Sequence, residues 1–88
     1  MIKSWTDSAW AEYLFWQTED RRTLKKINKL LESIERDGAL IGEGHPESLK
    51  GNFVGWCSRR IDEKNRLIYR VEDESLKILS CREHYSDR

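Results

Sequence analysis

The sequence predicts an α+β domain in which two N-terminal helices pack on one face of a mainly antiparallel sheet of four to five strands. Three observations carry that expectation. Leu24, Ile27, Leu30, Leu31 and Ile34 recur at helical spacing in the N-terminal half. Alternating and β-branched segments fill the C-terminal half, near 48–50, then at 56–61, 66–71 and 76–82. The acidic run Glu72-Asp73-Glu74 is short enough to join the last two as an antiparallel hairpin.

Each element has a local cause. Ile2-Lys3-Ser4-Trp5 reads as a short first strand. Thr6 is a helix N-cap, and Asp7 places negative charge in the first turn, where the helix dipole favours it. Trp10, Tyr13, Leu14 and Gln17 follow at helical spacing, so a first helix runs to Trp16 or Gln17 with Trp10 and Tyr13 packed inward. A second helix begins after Thr18; its solvated face holds Arg21, Arg22, Lys25, Lys26, Lys29, Glu32 and Glu35, and Gly38 stops it. From Asp37 to Pro46 three further punctuating residues, Gly42, Gly44 and the sole proline, mark a loop. No repeat or linker interrupts the chain, which reads as a single domain over 1–88. At that size only about 60–65% of the unfolded surface is buried, so the core has little redundancy.

Composition excludes several classes. With 38% hydrophobic residues and four tryptophans the chain supports a packed core. No apolar run approaches the roughly 20 residues that span a bilayer, and the N-terminus lacks a signal-peptide core, so the expected location is the cytoplasm. Cys57 and Cys81 show neither CxxC spacing nor the density of a disulfide scaffold, and read as reduced, half-buried residues. No metal-ligand spacing appears, and no cofactor is expected.

Net charge is zero but unevenly spread. Residues 45–71 hold Lys50, Arg59, Arg60, Lys64, Arg66 and Arg70 against Glu47, Asp62 and Glu63. That excess suits an anionic partner such as an RNA backbone, and it equally suits the solvated face of a sheet. The same half carries a chemical inventory: Glu47 and Lys50 after the Gly-rich loop, Arg59 and Arg60 on opposite faces of one strand, Arg66 on the next, and His84 with Tyr85 at a strand end. Metal-independent RNA cleavage needs a base for the ribose 2′-hydroxyl, cations for the phosphoryl oxygens and an acid for the leaving 5′-oxygen. Glu47, Arg66 and His84 fit those roles by residue type. Each also has an ordinary reading, as a loop carboxylate, an ion-pair partner and a frayed tail.

The separated stretches "GHPESLK", "GWCSRRI", "NRLIYRV" and "CREHY" occur in this order, with "KKIN" in the second helix. They resemble the YoeB and Txe branch of the RelE-like bacterial toxins, whose pattern runs close to "GKPEPLK", "GxWSRRI", "HRLVYxV" and "CRxHY". The likeness covers residues 1–85. It implies a ribosome-dependent messenger RNA endonuclease that cuts at the A-site codon. It also implies a partner antitoxin of the YefM or Axe type whose disordered tail folds onto the toxin, and operator DNA bound only through that complex; a homodimer is compatible with it. The family's catalytic positions fall on Glu47, Arg66, His84 and Tyr85, and its supporting basic positions on Lys50, Arg59 and Arg60. The alternative is a toxin-like module without cleavage that serves as antitoxin partner and co-repressor.

Four departures stand out. Cys57 replaces the tryptophan before "SRRI", with Trp56 one position earlier; Asn65 replaces the histidine before Arg66; Ser48 replaces a proline; and Ser86, Asp87 and Arg88 extend the end. The Cys57 exchange bears on core packing or on a dimer contact near that strand. Whether Arg66 and His84 share a face stays open, because Leu76, Ile78 and Leu79 occupy both parities: an even turn separates the two residues and a bulge reunites them.

Overall fold

The chain runs β1 (Ile2–Trp5), α1 (Asp7–Glu19), α2 (Arg21–Asp37), β2 (Glu47–Ser48), a 3₁₀ turn (Gly51–Phe53), β3 (Cys57–Arg60), β4 (Arg66–Glu72) and β5 (Ser75–Ser80). These elements come from a computed structural model that describes residues 1–83. His84 and Tyr85 lie outside the described residues. The sheet order is β1-β5-β4-β3-β2. Only the β1–β5 pair is parallel; the other three are antiparallel.

Helix α2 forms where its stripe predicts. Ile27, Leu30 and Ile34 are fully buried and join Leu67, Tyr69, Leu76 and Ile78 of the sheet in one core. Burying such side chains contributes about 1.5–3 kcal/mol each, which makes this layer the main source of stability. The boundary between the helices differs from the expected one. Asp20 ends α1 and caps α2, its carboxylate accepting from the amides of Arg22 and Thr23 and from the Thr23 hydroxyl.

Helix α1 corrects the sequence reading further. Its inward face is Ala9 and Trp16, with Tyr13 half-buried against the core as expected, whereas Trp10 and Leu14 are 46% and 41% exposed. Apolar residues surround this helix almost evenly, so spacing could not pick the buried side. Trp10 stacks on Tyr13 with centroids 5.7 Å apart, and Trp5 meets both rings edge-on or tilted. Cys81 is buried, not half-buried, and desolvation pushes its thiol up to about 12; Cys57 is half-buried, and both are free.

The β4–β5 turn is the two-residue Asp73-Glu74, both at positive φ, which matches the twist of a tight hairpin. The register then shifts: Tyr69 pairs with Ile78 but Ile68 pairs with Ser80, leaving Leu79 as the extra residue of a bulge. The even turn and the bulge therefore coexist. Apolar residues at both parities of β5 are the trace of that slip.

Candidate active site

Register places the candidate residues without reference to any relative. Directly opposed residues of an antiparallel pair share a face, and residues two apart along a strand share it too. Glu47 opposes Ser58, Ser58 opposes Ile68, and Arg60 opposes Arg66. Glu47, Arg60 and Arg66 thus stand on one face of β2, β3 and β4, the face away from the helices. Arg60 and Arg66 line a cleft of about 430 Å³ with Lys26, His45, Asp62 and Glu63. Glu47 and Lys50 are exposed but do not line it, and Lys50 follows Leu49, whose amide donates to the Trp56 carbonyl, at the far end of β3 from Arg60.

His45 was not singled out as a site residue by the sequence. It enters the cleft because the loop before β2 turns there, with His45 at φ 52 and the Gly44 carbonyl accepting from the Arg60 amide at 2.7 Å. The arginine itself is held by the β3–β4 turn. Arg66 Nη1 donates to the carbonyls of Asp62 at 2.6 Å and Asn65 at 3.1 Å.

Arg59 leaves the set of expected RNA contacts. It faces the helices and is fully buried. Its Nε donates to the Tyr69 hydroxyl, Nη1 to Ser33 Oγ and the Glu43 carbonyl, and Nη2 to the carbonyls of Gly38 and Ile41, at 2.8–2.9 Å. The Tyr69 hydroxyl in turn donates to the Ala39 carbonyl. No carboxylate among the described residues lies within ion-pair distance of Arg59. The guanidinium instead satisfies the carbonyls of a loop that has no ladder partner of its own. Gly42 lets that loop close, for at φ +118 a Cβ there would collide with Ser33 Oγ and come within 3.1 Å of Arg59 Nη1.

The chain is also fixed where it approaches His84. Trp16 Nε1 donates to the Cys81 carbonyl at 2.9 Å, and the Cys81 amide donates to Glu12 at 2.8 Å. The Arg82 guanidinium lies 3.8 Å from the centre of the Phe15 ring. The Glu83 amide donates to Asn65 Oδ1 at 2.6 Å, and the Arg66 amide donates to the Glu83 carbonyl at 3.1 Å. Asn65, a departure from the family pattern, thereby ties the turn that carries Arg66 to the residue preceding His84. Its Nδ2 also donates to both Asp62 oxygens at 3.1 Å. The bulge in β5 brings these backbones together; His84 and Tyr85 themselves lie outside the described residues.

Burial would raise the Asp62 carboxyl. The Asn65 side chain, the amides of Asn65 and Lys64 and the charge of Arg66 more than offset it and hold Asp62 below the usual value. Asp20 is lowered chiefly by the Thr23 hydroxyl, and Glu72 by Lys77. Groups lowered in the folded state contribute stability that is complete above the unfolded pKa, about 4, and is lost as pH falls through the folded values. Glu12 works in the opposite sense, since desolvation raises it and protonation relieves that cost. The contribution of Asp62 is therefore expected to be present above about pH 4 and to be lost as pH falls below it. Asp62→Asn should show a shallower acid decline than the parent, and an equally steep one would remove Asp62 as a cause.

A profile of the YoeB-like toxins of bacterial type II toxin-antitoxin systems matches residues 5–85. The chain belongs to this family. It is 48% identical over 81 residues to toxin YoeB of Escherichia coli K12, covering 92% of this chain and 95% of that one. Toxin YoeB of Synechocystis is 45% identical over 82 residues, covering 93% and 94%. Among solved structures, the YoeB/ParE toxin from Agrobacterium tumefaciens superposes with a TM-score of 0.92 at 42% identity, covering 97% of this chain and all of that one. The YoeB of the heterotetrameric YoeB–YefM complex from Staphylococcus aureus gives 0.91 at 46% identity, covering 97% and 98%. YafQ of E. coli strain BL21(DE3), at 18% identity and a TM-score of 0.71, shares the fold. The expected α+β architecture and the RelE-like relationship thus hold, and this YoeB-like toxin has its five-stranded sheet with one parallel pair. Among its described residues no helix is long and apolar enough to cross a membrane, and no group of three or more His, Cys, Asp or Glu could hold a metal ion.

Proposed function

We propose that this toxin is a metal-independent endoribonuclease that cuts messenger RNA at the codon in the ribosomal A site and so arrests translation. The observation that carries the reading is that Glu47, Arg60 and Arg66 share one face of three adjacent strands, with the chain fixed beside Arg66 one residue before His84. Glu47 takes the proton of a ribose 2′-hydroxyl. The new O2′–P bond forms as the P–O5′ bond breaks, Arg66 balances charge on the phosphoryl oxygens, and His84 protonates the departing O5′. Tyr85 supports the acid as its aromatic neighbour. Lys50 and Arg60 hold flanking phosphates.

In the cytoplasm such an activity needs restraint. A YefM-type antitoxin fits that role, since a toxin of similar sequence and fold from S. aureus is in complex with YefM. A YoeB dimer from the same organism supports a homodimer. Operator DNA is bound through the antitoxin complex. The decisive measurement adds purified toxin to a translating extract and maps breaks by primer extension. Breaks are expected within A-site codons, with a 2′,3′-cyclic phosphate or 3′-phosphate upstream and a 5′-hydroxyl downstream. They should persist when EDTA is added to ribosomes already engaged. Uncut messenger would leave the antitoxin-binding module without cleavage as the reading.

A further inference from the structure

We infer that Trp56 and Arg70 form a stacking platform for a base of single-stranded RNA, on the same face as Glu47, Arg60 and Arg66 and set apart from the cleft. The Arg70 guanidinium carbon lies 4.5 Å from the centre of the Trp56 ring. Their place on the open face follows from the ladder: Cys57 opposes Tyr69, so the positions beside them, Trp56 and Arg70, meet on the opposite side of the sheet from Tyr69. Arg66 and Arg70 are four residues apart on β4, which separates platform and cleft by about 13 Å along the strand. Ser58 and Ile68, which lie between them on this face, are 2% and 1% exposed, so platform and cleft are separate accessible patches toward opposite ends of the strands.

Three details favour a ligand surface over internal packing. Gly55, at φ +93, leaves the guanidinium room, for a Cβ there would come within 3.3 Å of Arg70 Nη1. Arg70 Nε is buried without a hydrogen bond, its ion-pair partner Glu72 Oε1 being 3.5 Å away, while 36% of the side chain remains exposed. Arg60, Arg66, Arg70 and Lys77 outnumber Glu47 and Glu72 on this face, because Arg70 opposes Lys77 and Glu72 opposes Ser75. A planar cation fixed on an indole offers a base a flat, positively charged partner. The favoured occupant is therefore RNA, not an acidic peptide, which would use the charge but not the plane.

The inference rests on the open face being an RNA surface, so binding must be scored apart from cleavage. A short labelled 2′-O-methyl RNA lacks the attacking hydroxyl and serves as the probe, with fluorescence anisotropy as the readout. Trp56→Ala is expected to weaken binding about 5- to 150-fold, the range for loss of one base-stacking aromatic, and Trp56→Phe to restore most of it. Arg70→Ala should also reduce the slope of log affinity against log salt by about 0.7, whereas Trp56→Ala removes no charge and should leave the slope unchanged. Thermal melting and binding to a YefM-type antitoxin are measured on the same variants. Failure of the wild type to bind the probe would overturn the platform. So would unchanged affinity in Trp56→Ala, or a loss confined to antitoxin binding. If the wild type cuts messenger while Trp56→Ala binds normally, the platform alone is rejected and the nuclease reading stands. If the probe results hold but messenger stays intact, the platform stands and the nuclease reading falls.

Discussion

Glu47→Gln and His84→Ala are each expected to lower messenger cleavage by about 10²–10⁴-fold, the usual range for removing one general base or acid. Glu47 is exposed on the short edge strand β2, and its side chain contributes nothing to the helix-packed core. Its replacement should shift stability by less than about 0.5 kcal/mol, as surface substitutions away from special features do. Cleavage and folding therefore separate in one variant. Primer extension on ribosome extracts gives the first, and thermal melting with antitoxin binding gives the second. A well-folded Glu47→Gln that cuts at the parental rate would take the base role from Glu47, and the same result for His84→Ala would take the acid role from His84.

Arg59→Ala should produce the largest loss of stability, about 3–5 kcal/mol, because it leaves buried carbonyls without donors and opens a cavity in the core. A domain of 88 residues has roughly 4–13 kcal/mol to lose. At about 4–8 °C per kcal/mol the melting temperature would fall by at least about 12 °C. Arg59→Met keeps much of the volume but none of the donors, so it tests whether hydrogen bonding or packing dominates. A Met variant as stable as the parent would show that the loop from Gly38 to Glu43 does not depend on the guanidinium. Because that loop leads into β2, activity should fall with stability in these variants. Arg60→Ala, next along the same strand but exposed on the open face, should leave the melting temperature nearly unchanged.

The contrast between Arg59 and Arg60 shows where sequence reading ends. Strand alternation already put the two on opposite faces, but assigning one to the core and one to solvent required knowing which face α1 and α2 cover. A charged residue is ordinarily the wrong one to bury. Arg59 is buried because the loop at 38–43 brings carbonyls that need donors, a requirement that arises only when residues far apart in the chain meet. Trp56–Arg70 is a similar case: neither residue signals the other until β3 and β4 pair.

The stripe of α2, the Thr6 cap, the acidic hairpin turn and the ordered motifs are local, set by spacing along a few residues, and they were enough to give the fold class and the family. The buried face of α1 was not readable in this way, since apolar residues lie all around it and packing against α2 and β5 together selects Ala9 and Trp16. The meeting of Arg66 with the chain ahead of His84 depends on one extra residue, Leu79, bulged from the ladder. A slip of one position exchanges the two faces of a strand, and apolar residues at both parities do not choose between registers. Packing against α1, with Trp16 and Glu12 holding Cys81, fixes the backbone at the end of β5 in place.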